Sequence, residues 1–157
     1  MHYGLVKKSH FEDMVMAVCE CLGHGKNKTA YNLIIETANA ETNMGKTEDK
    51  SISNGHGITQ IDKIGFEDIK ARTRDKNKDM VYDSFGIDID LVEFNDLRYN
   101  PLLSAIFTRL KYKFITEEIP SSKKGRAQYW KKYYNTYAGK GTPKHYLAAN
   151  KSFFGLA

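Results

Sequence analysis

Two carboxylates bracket a polar, glycine-bearing segment, ETNMGKTEDKSISNGHGITQID, which covers residues 41–62. Glu41 begins the segment and Asp62 ends it, and Gly55 and Gly57 stand on either side of His56. Two carboxylates that flank a groove can cleave a glycosidic bond, because one protonates the leaving oxygen while the other orients water or stabilises an oxocarbenium ion. Glu41 and Asp62 are therefore the candidate catalytic pair.

Glu41 stands at the end of a helix predicted over residues 27–41. On a helical wheel it falls on the same side as Ile34 and Ala38, whereas Glu36 falls on the opposite side. A carboxyl at the end of an apolar stripe is partly desolvated, which raises its pKa as a general acid near neutral pH requires. Geometry alone leaves a second interpretation open, in which Glu41 faces solvent where the helix ends.

The glycine turn predicts a ligand-facing loop. Gly57 lets the backbone turn tightly and approach a ligand closely. In the apolar stretch that follows, Ile58 and Ile61 are expected to face the core, which leaves Gln60 free to hydrogen-bond across a cleft. His56 is expected either to contact a sugar or to support the loop.

Taken together, these residues resemble a known family, the goose-type lysozymes and soluble lytic transglycosylases. The resemblance spans roughly residues 27–147 and includes NPLLSAIFTRLKY, which is similar to the family's central helix. The sequence departs from the family in two ways: Thr59 replaces the usual methionine, and Thr136 and Tyr137 interrupt a Tyr-Asn-Ala-Gly motif. The matching residues are Glu41-Thr42, Gly55-His56-Gly57-Ile58-Thr59-Gln60-Ile61-Asp62, Tyr134-Asn135 and Ala138-Gly139.

The resemblance implies a reaction and a role for each matching residue. Glu41 would be the acid that protonates the bond between N-acetylmuramic acid and N-acetylglucosamine. Asp62 would position the attacking water, as in the goose-type branch; without a positioned water, the muramic acid's 6-hydroxyl would attack and give an anhydro product. The residues implied to bind substrate or to support the acid are Thr42, His56, Gly57, Gln60, Tyr134 and Asn135.

The elements that must position these residues are mostly helical. We expect a mainly α, lysozyme-like α+β fold in one domain, residues 1–157, with a small β or loop segment beside the cleft. Helices are predicted at 9–22, 27–41, around 65–73 and at 101–118, 123–136 and 143–154, the last opened by Pro143. Residues 74–79 read as a mobile loop, residues 85–94 as a strand or buried loop, and 51–53 and 57–62 as short extended pieces.

The net charge of +5 is divided unevenly along the chain. Residues 1–108 carry a net charge of −4 and residues 109–157 a net charge of +9. The basic part is expected either to be a solvated helix face or to attract a polyanion, such as an anionic wall polymer or a membrane surface. A non-catalytic basic module that binds nucleic acid or cell-wall polymer is therefore the alternative function. We expect no nucleic acid, because Trp130 and the neighbouring tyrosines read as core and groove wall.

The composition of the sequence also indicates where the protein is made and which ligands it lacks. No segment approaches the ~20 apolar residues that cross a bilayer, and the N-terminal stretch reads as an amphipathic helix rather than a signal peptide. We expect a monomer made in a cytoplasm, similar to a single-domain phage endolysin that acts on the wall after release. Cys19 and Cys21 are expected to be free thiols. No cofactor or metal is expected: the run from Asp75 to Asp79 begins like a calcium loop but lacks its glycine and closing glutamate.

Overall fold

The computed structural model describes residues 1–48, 55–137 and 139–156, and within these ranges the chain is mainly helical. It has no strand there, and its one β feature is an isolated antiparallel bridge between His56 and Ile61. It has two 3₁₀ segments, Ile89–Leu91 and Phe94–Tyr99, and a π-helical segment, Lys131–Asn135. The α-helices are α1 Lys8–Leu22, α2 Ala30–Thr42, α3 Lys63–Arg72, α4 Asp75–Phe85, α5 Pro101–Lys113, α6 Lys123–Trp130 and α7 Pro143–Ala149.

Two central helices, α2 and α5, organise the core. Helix α2 packs against α1, α5, α6 and α7, and α5 packs against α1, α2 and α3. The start of α5 is set locally, because the Asn100 side chain accepts a hydrogen bond from the Leu103 amide and Pro101 occupies the first turn. Both helices are buried over most of their surface. A residue at the end of α2 is therefore held rigidly relative to α5, α6 and α7.

Two segments differ from their predicted structure. Residues 74–79, predicted to be a mobile loop, contain the first turns of α4, which docks through the fully buried Val81. Residues 85–94, predicted to be a strand or buried loop, are a loop that contains the short 3₁₀ turn Ile89–Leu91, in which Ile89 is fully buried. In the second case the alternation of apolar and acidic residues imitates a strand, but the Asp88 carboxylate caps the 3₁₀ turn by accepting a hydrogen bond from the Asp90 amide.

Several helix bounds also shift. The helix predicted from residue 27 begins at Ala30, α5 ends at Lys113 rather than near 118, and α7 ends at Ala149. Residues 57–60 are a turn, so the extended piece predicted at 57–62 reduces to the bridge at Ile61. The piece predicted at residues 51–53 lies outside the described residues.

The described residues hold no helix that is both long and apolar enough to cross a membrane. Cys19 is fully buried and Cys21 partly buried, and both are free thiols, as the sequence predicts. Burial raises the pKa of the Cys19 thiol to about 11, so it is un-ionised at neutral pH. Over the same described ranges, no group of three or more His, Cys, Asp or Glu side chains is arranged to hold a metal ion.

Candidate active site

Glu41 lies in the last turn of α2, where its carboxyl faces the indole of α6. The Trp130 Nε1–H donates a hydrogen bond to Glu41 Oε2 at 3.1 Å. Immediately after Glu41 the helix ends, because Asn43 takes a left-handed conformation (φ 50°) and its amide bonds to the Asn39 carbonyl. The carboxyl is therefore fixed by a rigid helix end on one side and a buried indole on the other.

The environment of Glu41 favours its protonated form. Burial raises the pKa of Glu41 to about 7, and this rise is only partly offset by the hydrogen bond from Trp130 and by the positive charge of Lys111. The C-terminal position on α2 acts in the same direction as burial, because the negative end of the helix dipole disfavours a carboxylate. At neutral pH a substantial fraction of Glu41 therefore carries a proton, as a general acid must.

A cavity of about 380 Å³ opens beside the Glu41 carboxyl. The loop after the π-helical segment forms one wall, and this loop passes very close to its neighbours. A Cβ on Gly141 would lie 2.4 Å from the Trp130 ring, and one on Gly139 would lie 2.4 Å from Asn135. Glycine is therefore required at both positions. The lining residues are Ala40, Glu41, Trp130, Asn135, Gly139, Lys140, Gly141 and His145.

His145, in α7, contributes a second ionisable group to this cavity. Its Nε2 lies 2.8 Å from the Ala40 carbonyl oxygen. A carbonyl can only accept, so Nε2 carries the hydrogen, and Nδ1 is then the acceptor of the neutral ring. This bond ties α7 to the last turn of α2, next to Glu41.

The charges of both candidate carboxylates, Glu41 and Asp62, act on the pKa values of Lys111 and Tyr134. The Lys111 Nζ stands 4.2 Å from the centre of the Tyr134 ring. Burial lowers the pKa of Lys111, whereas the charges of Asp62 and Glu41 raise it. The pKa of Tyr134 is raised first by burial and then by Glu41, with a smaller contribution from Asp62. Both carboxylates therefore act on the same lysine and tyrosine.

Asp62 has a local structural role. It is exposed, and it caps α3 by accepting a hydrogen bond from the Gly65 amide at 2.6 Å. It is not among the residues that line the described cavity beside Glu41. Its assignment as the residue that positions water stays a prediction, and one of its oxygens is already used in the cap.

Thr42 and Gln60 make their hydrogen bonds within the scaffold. Thr42 is 2% exposed, and its hydroxyl donates to the Ile58 carbonyl at 2.7 Å while accepting from the Gly45 amide at 3.0 Å. The Gln60 side chain donates to the Gly57 carbonyl at 2.9 Å. The Gln60 side chain, which was expected to hydrogen-bond across a cleft, thus makes this bond within the turn. Thr42 connects the same turn to the end of α2.

Gly57 and His56 are packed against the 3₁₀ segment Phe94–Tyr99. A Cβ on Gly57 (φ 81°) would lie 2.4 Å from the Leu97 carbonyl oxygen and from Ser104 Oγ, so only glycine fits. The His56 ring stacks on Phe94 with a centroid separation of 3.9 Å. Burial lowers the pKa of His56, and Arg98 adds to this effect. Both residues hold the loop in place.

Tyr134 completes the attachment of this loop from the opposite side. Its hydroxyl donates to the Thr59 carbonyl at 2.6 Å, and the Thr59 side chain lies 2.8 Å from the hydroxyl of Thr108 in α5. Residues 55–62 are thus tied to α2, to α5 and to the π-helical segment. The segment braces the three elements that position Glu41, rather than forming the wall of the cavity itself.

The other glutamate of α2 is not where the helical wheel placed it. Glu36 was expected opposite the buried stripe, but it is fully buried because α6 and α7 cover that side of α2. The Arg126 guanidinium donates to both of its oxygens, at 2.6 and 2.9 Å, and the Tyr146 hydroxyl donates to Oε1 at 2.7 Å. Glu36 is therefore a neutralised, hydrogen-bonded charge inside the core.

Of the predicted site residues, Glu41 and Asn135 line the same cavity, and Tyr134 is near enough for the charge of Glu41 to raise its pKa. Sequence reasoning missed three residues: Trp130 and His145, which line the cavity, and Lys111, whose charge acts on Glu41. Trp130, the chain's only tryptophan, was expected in the core and groove wall, but without a link to Glu41. Nothing in the spacing connects His145 or Lys111 to residue 41.

Comparison of the chain with protein-family models, curated proteins and solved structures finds no match. The chemistry of the site therefore rests on its own geometry. That geometry is a carboxyl with a pKa of about 7, hydrogen-bonded to an indole and lining a cavity whose walls include both polar and apolar groups.

Proposed function

We propose that this protein is a muramidase that cleaves the β-1,4 bond between N-acetylmuramic acid and N-acetylglucosamine in peptidoglycan, with Glu41 as the general acid. The observation that carries the proposal is the raised pKa of Glu41, about 7, in a carboxyl that opens into a cavity. In this reading the helical scaffold and the braced loop of residues 55–62 correspond to a lysozyme-like fold, with the loop in place of its small β segment.

The contacts of Glu41 support a defined direction of proton transfer. The Trp130 N–H donates to Oε2, so the acid proton is carried more favourably by Oε1. A protonated Oε1 within reach of the glycosidic oxygen would donate its proton as the bond to the leaving sugar breaks, and the resulting carboxylate would then accept a proton from the nucleophile. Lys111 would stabilise that transient carboxylate, because its charge already lowers the pKa of Glu41.

The cavity walls suit an acetamido sugar. The Asn135 Oδ1 accepts a hydrogen bond from Lys131 Nζ at 2.8 Å, which orients the amide group. Across the cavity, His145 has an acceptor nitrogen when its ring is neutral. These groups are of the kind that bind sugar hydroxyls and N-acetyl groups.

Two versions of the second step remain distinct proposals. In the first, a water held by Asp62 attacks and the product is a reducing sugar. In the second, the 6-hydroxyl of muramic acid attacks and an anhydro sugar forms. Asp62 accepts one hydrogen bond from the Gly65 amide, and the remaining lone pairs of its carboxylate are the ones that would hold the water. Mass analysis of the digested glycan separates the two versions, because the anhydro product is lighter by one water.

The test of the proposal compares two glutamate-to-glutamine variants on purified peptidoglycan. Glu41→Gln removes the transferable proton while keeping shape and volume, and it should lower the rate of muropeptide release by about 10²–10⁴-fold. Glu67→Gln, at an exposed position of α3, is the matched control and should keep full activity. An active Glu41→Gln variant, or a wild-type protein that releases no muropeptides, would overturn the assignment.

A further inference from the structure

A second concave surface lies away from Glu41, where α3 meets α4 beside the end of α5. This basic cavity has a volume of about 710 Å³. Four of the residues that line it carry a positive charge, and none carries a negative charge. The full set is Arg72, Arg74, Lys76, Asn77, Met80, Lys113, Phe114 and Thr116.

Two of the four cations are held in place by the scaffold. The Arg72 guanidinium lies 4.5 Å above the Phe114 ring and pairs with Asp68 one turn earlier in α3. The Lys113 Nζ donates to the Leu22 carbonyl at the end of α1, at 2.9 Å. These contacts fix two donors at the cavity wall before any ligand arrives, which reduces the entropy cost of binding.

The remaining cations crowd the same space. Arg74 and Lys76 are exposed where α4 begins. The pKa of Lys113 is lowered by burial and further by the positive charges of Arg109, Lys76 and Arg74. These groups therefore repel one another in the free protein, and an anion bound among them would relieve that repulsion.

We propose that the basic cavity binds the phosphate groups of a flexible phosphodiester chain that carries no bases, of the poly(glycerol phosphate) type. Lysine and arginine are the usual partners of phosphate, and arginine can engage two of its oxygens at once. The proposal stands on this cavity alone and does not rest on the assignment of Glu41.

The shape and composition of the cavity favour a flexible phosphodiester chain over nucleic acid. Single strands are bound largely by stacking bases on aromatic faces, and the only ring in the lining, Phe114, is already covered by Arg72. A duplex is a rigid rod that is bound through many phosphates along an extended surface. A flexible chain without bases can instead enter a concave site and place successive phosphates among four cations.

The distribution of charge along the sequence predicts a different polyanion-binding part, residues 109–157. Of the four cations only Lys113 belongs to that part, whereas Arg72, Arg74 and Lys76 come from the part whose net charge is negative. Folding gathers these cations, because the turn between α3 and α4 returns the chain towards the end of α5.

The test measures binding of fluorescently labelled poly(glycerol phosphate) to the full chain at several salt concentrations. Arg74→Gln/Lys76→Gln removes two exposed cations of the cavity and leaves in place the contacts that Arg72 and Lys113 make with the scaffold. It should weaken binding by about tenfold and make the salt dependence shallower by about 1–2 in slope. Lys26→Gln/Lys124→Gln removes the same net charge from two other exposed positions, and it should change affinity by less than about twofold.

The outcomes that contradict the proposal are equally definite. Equal losses in the two double variants would mean that only net charge matters, and an absence of binding by the wild-type chain would remove the site. A duplex DNA of matched charge that binds as tightly, and that loses as much affinity in Arg74→Gln/Lys76→Gln, would assign the cavity to nucleic acid instead. Muropeptide release from peptidoglycan stripped of phosphate polymers should be unchanged in this variant, so the result is independent of the Glu41 test.

Discussion

Helix α2 carries two glutamates, Glu36 and Glu41, whose buried carboxyls have different hydrogen-bond partners. Glu36 is fully buried but receives hydrogen bonds from Arg126 and Tyr146, so its charge is neutralised by a partner. Glu41 accepts a single described side-chain bond, from the neutral indole of Trp130, and its pKa is raised to about 7. In the first arrangement the charge is paired inside the core, whereas in the second burial favours the protonated carboxyl.

The comparison shows that two buried carboxyls on one helix can have different electrostatic environments. What distinguishes Glu41 is burial without a directly paired cation, together with access to a cavity. Lys111 is close enough to lower the pKa of Glu41, but this effect is smaller than that of burial. The two glutamates should therefore respond in opposite directions to the same substitution by glutamine.

The largest effect on stability is expected at Glu36. Glu36→Gln leaves the Arg126 guanidinium buried without its counter-charge, and it should lower the free energy of unfolding by about 3–5 kcal/mol. Urea denaturation followed by circular dichroism measures this change. Glu20→Gln, at an exposed position of α1, is the control and should lie within about 0.5 kcal/mol of wild type. A Glu36→Gln variant as stable as the control would mean that the pair with Arg126 is not needed for the fold.

The same substitution at Glu41 should stabilise the protein, and only at higher pH. The folded-state pKa of about 7 lies above the ordinary value of 4.5, so the stability that the protonated carboxyl contributes is fully present below about pH 4.5 and is lost as the pH rises through 7. Glu41→Gln lacks this loss. At pH 8 its free energy of unfolding should therefore exceed that of the wild type by about 2 kcal/mol.

Denaturation curves of wild type and Glu41→Gln at pH 5 and pH 8 check this prediction. The gap between the two proteins should be larger at pH 8. A gap that is the same at both values, or larger at pH 5, would show that Glu41 ionises as freely as an exposed glutamate. The comparison with Glu36 would then fail, whatever the activity of the variant.

The environment of each glutamate can be predicted from the sequence only as far as the residues that contact it are close to it in the chain. The burial expected for Glu41 follows from its own helix, because it ends an apolar stripe there, although the indole that contacts it comes from residue 130. Glu36 was misplaced because α6 and α7, which cover it, are supplied by residues 90 and 110 positions further along the chain. A helical wheel describes one helix, and it contains no information about how many neighbours will pack around it.

The segment of residues 55–62 shows the same limit. The sequence marked its glycines and its apolar pair correctly as a turn against the core, since Ile58 and Ile61 are fully buried. It did not indicate that Gly57 is required by the Leu97 carbonyl and Ser104, because that contact is between distant parts of the chain. The structure shows contacts of this segment with the elements around Glu41, and its predicted role in binding a ligand stays a prediction.

The smallest effect in this series concerns Lys111. Its charge lowers the pKa of Glu41, so Lys111→Met should raise that pKa and move the alkaline limb of the pH–activity profile upward by about 0.5–1 pH unit. Muropeptide release measured from pH 5 to pH 9 gives the limb, and Lys124→Met at an exposed position is the control. A limb that stays in place, or moves to lower pH, would show that Lys111 does not act on the acid.

The central claim is that Glu41 holds a proton near neutral pH while its neighbour on α2 is neutralised by an arginine. The most direct measurement is an NMR titration of the side-chain carboxyl carbon of Glu41 in the wild-type protein, with the resonance assigned by its disappearance in Glu41→Gln. A midpoint at about pH 7 is the predicted result. A midpoint at the ordinary glutamate value of 4.5 would contradict the account.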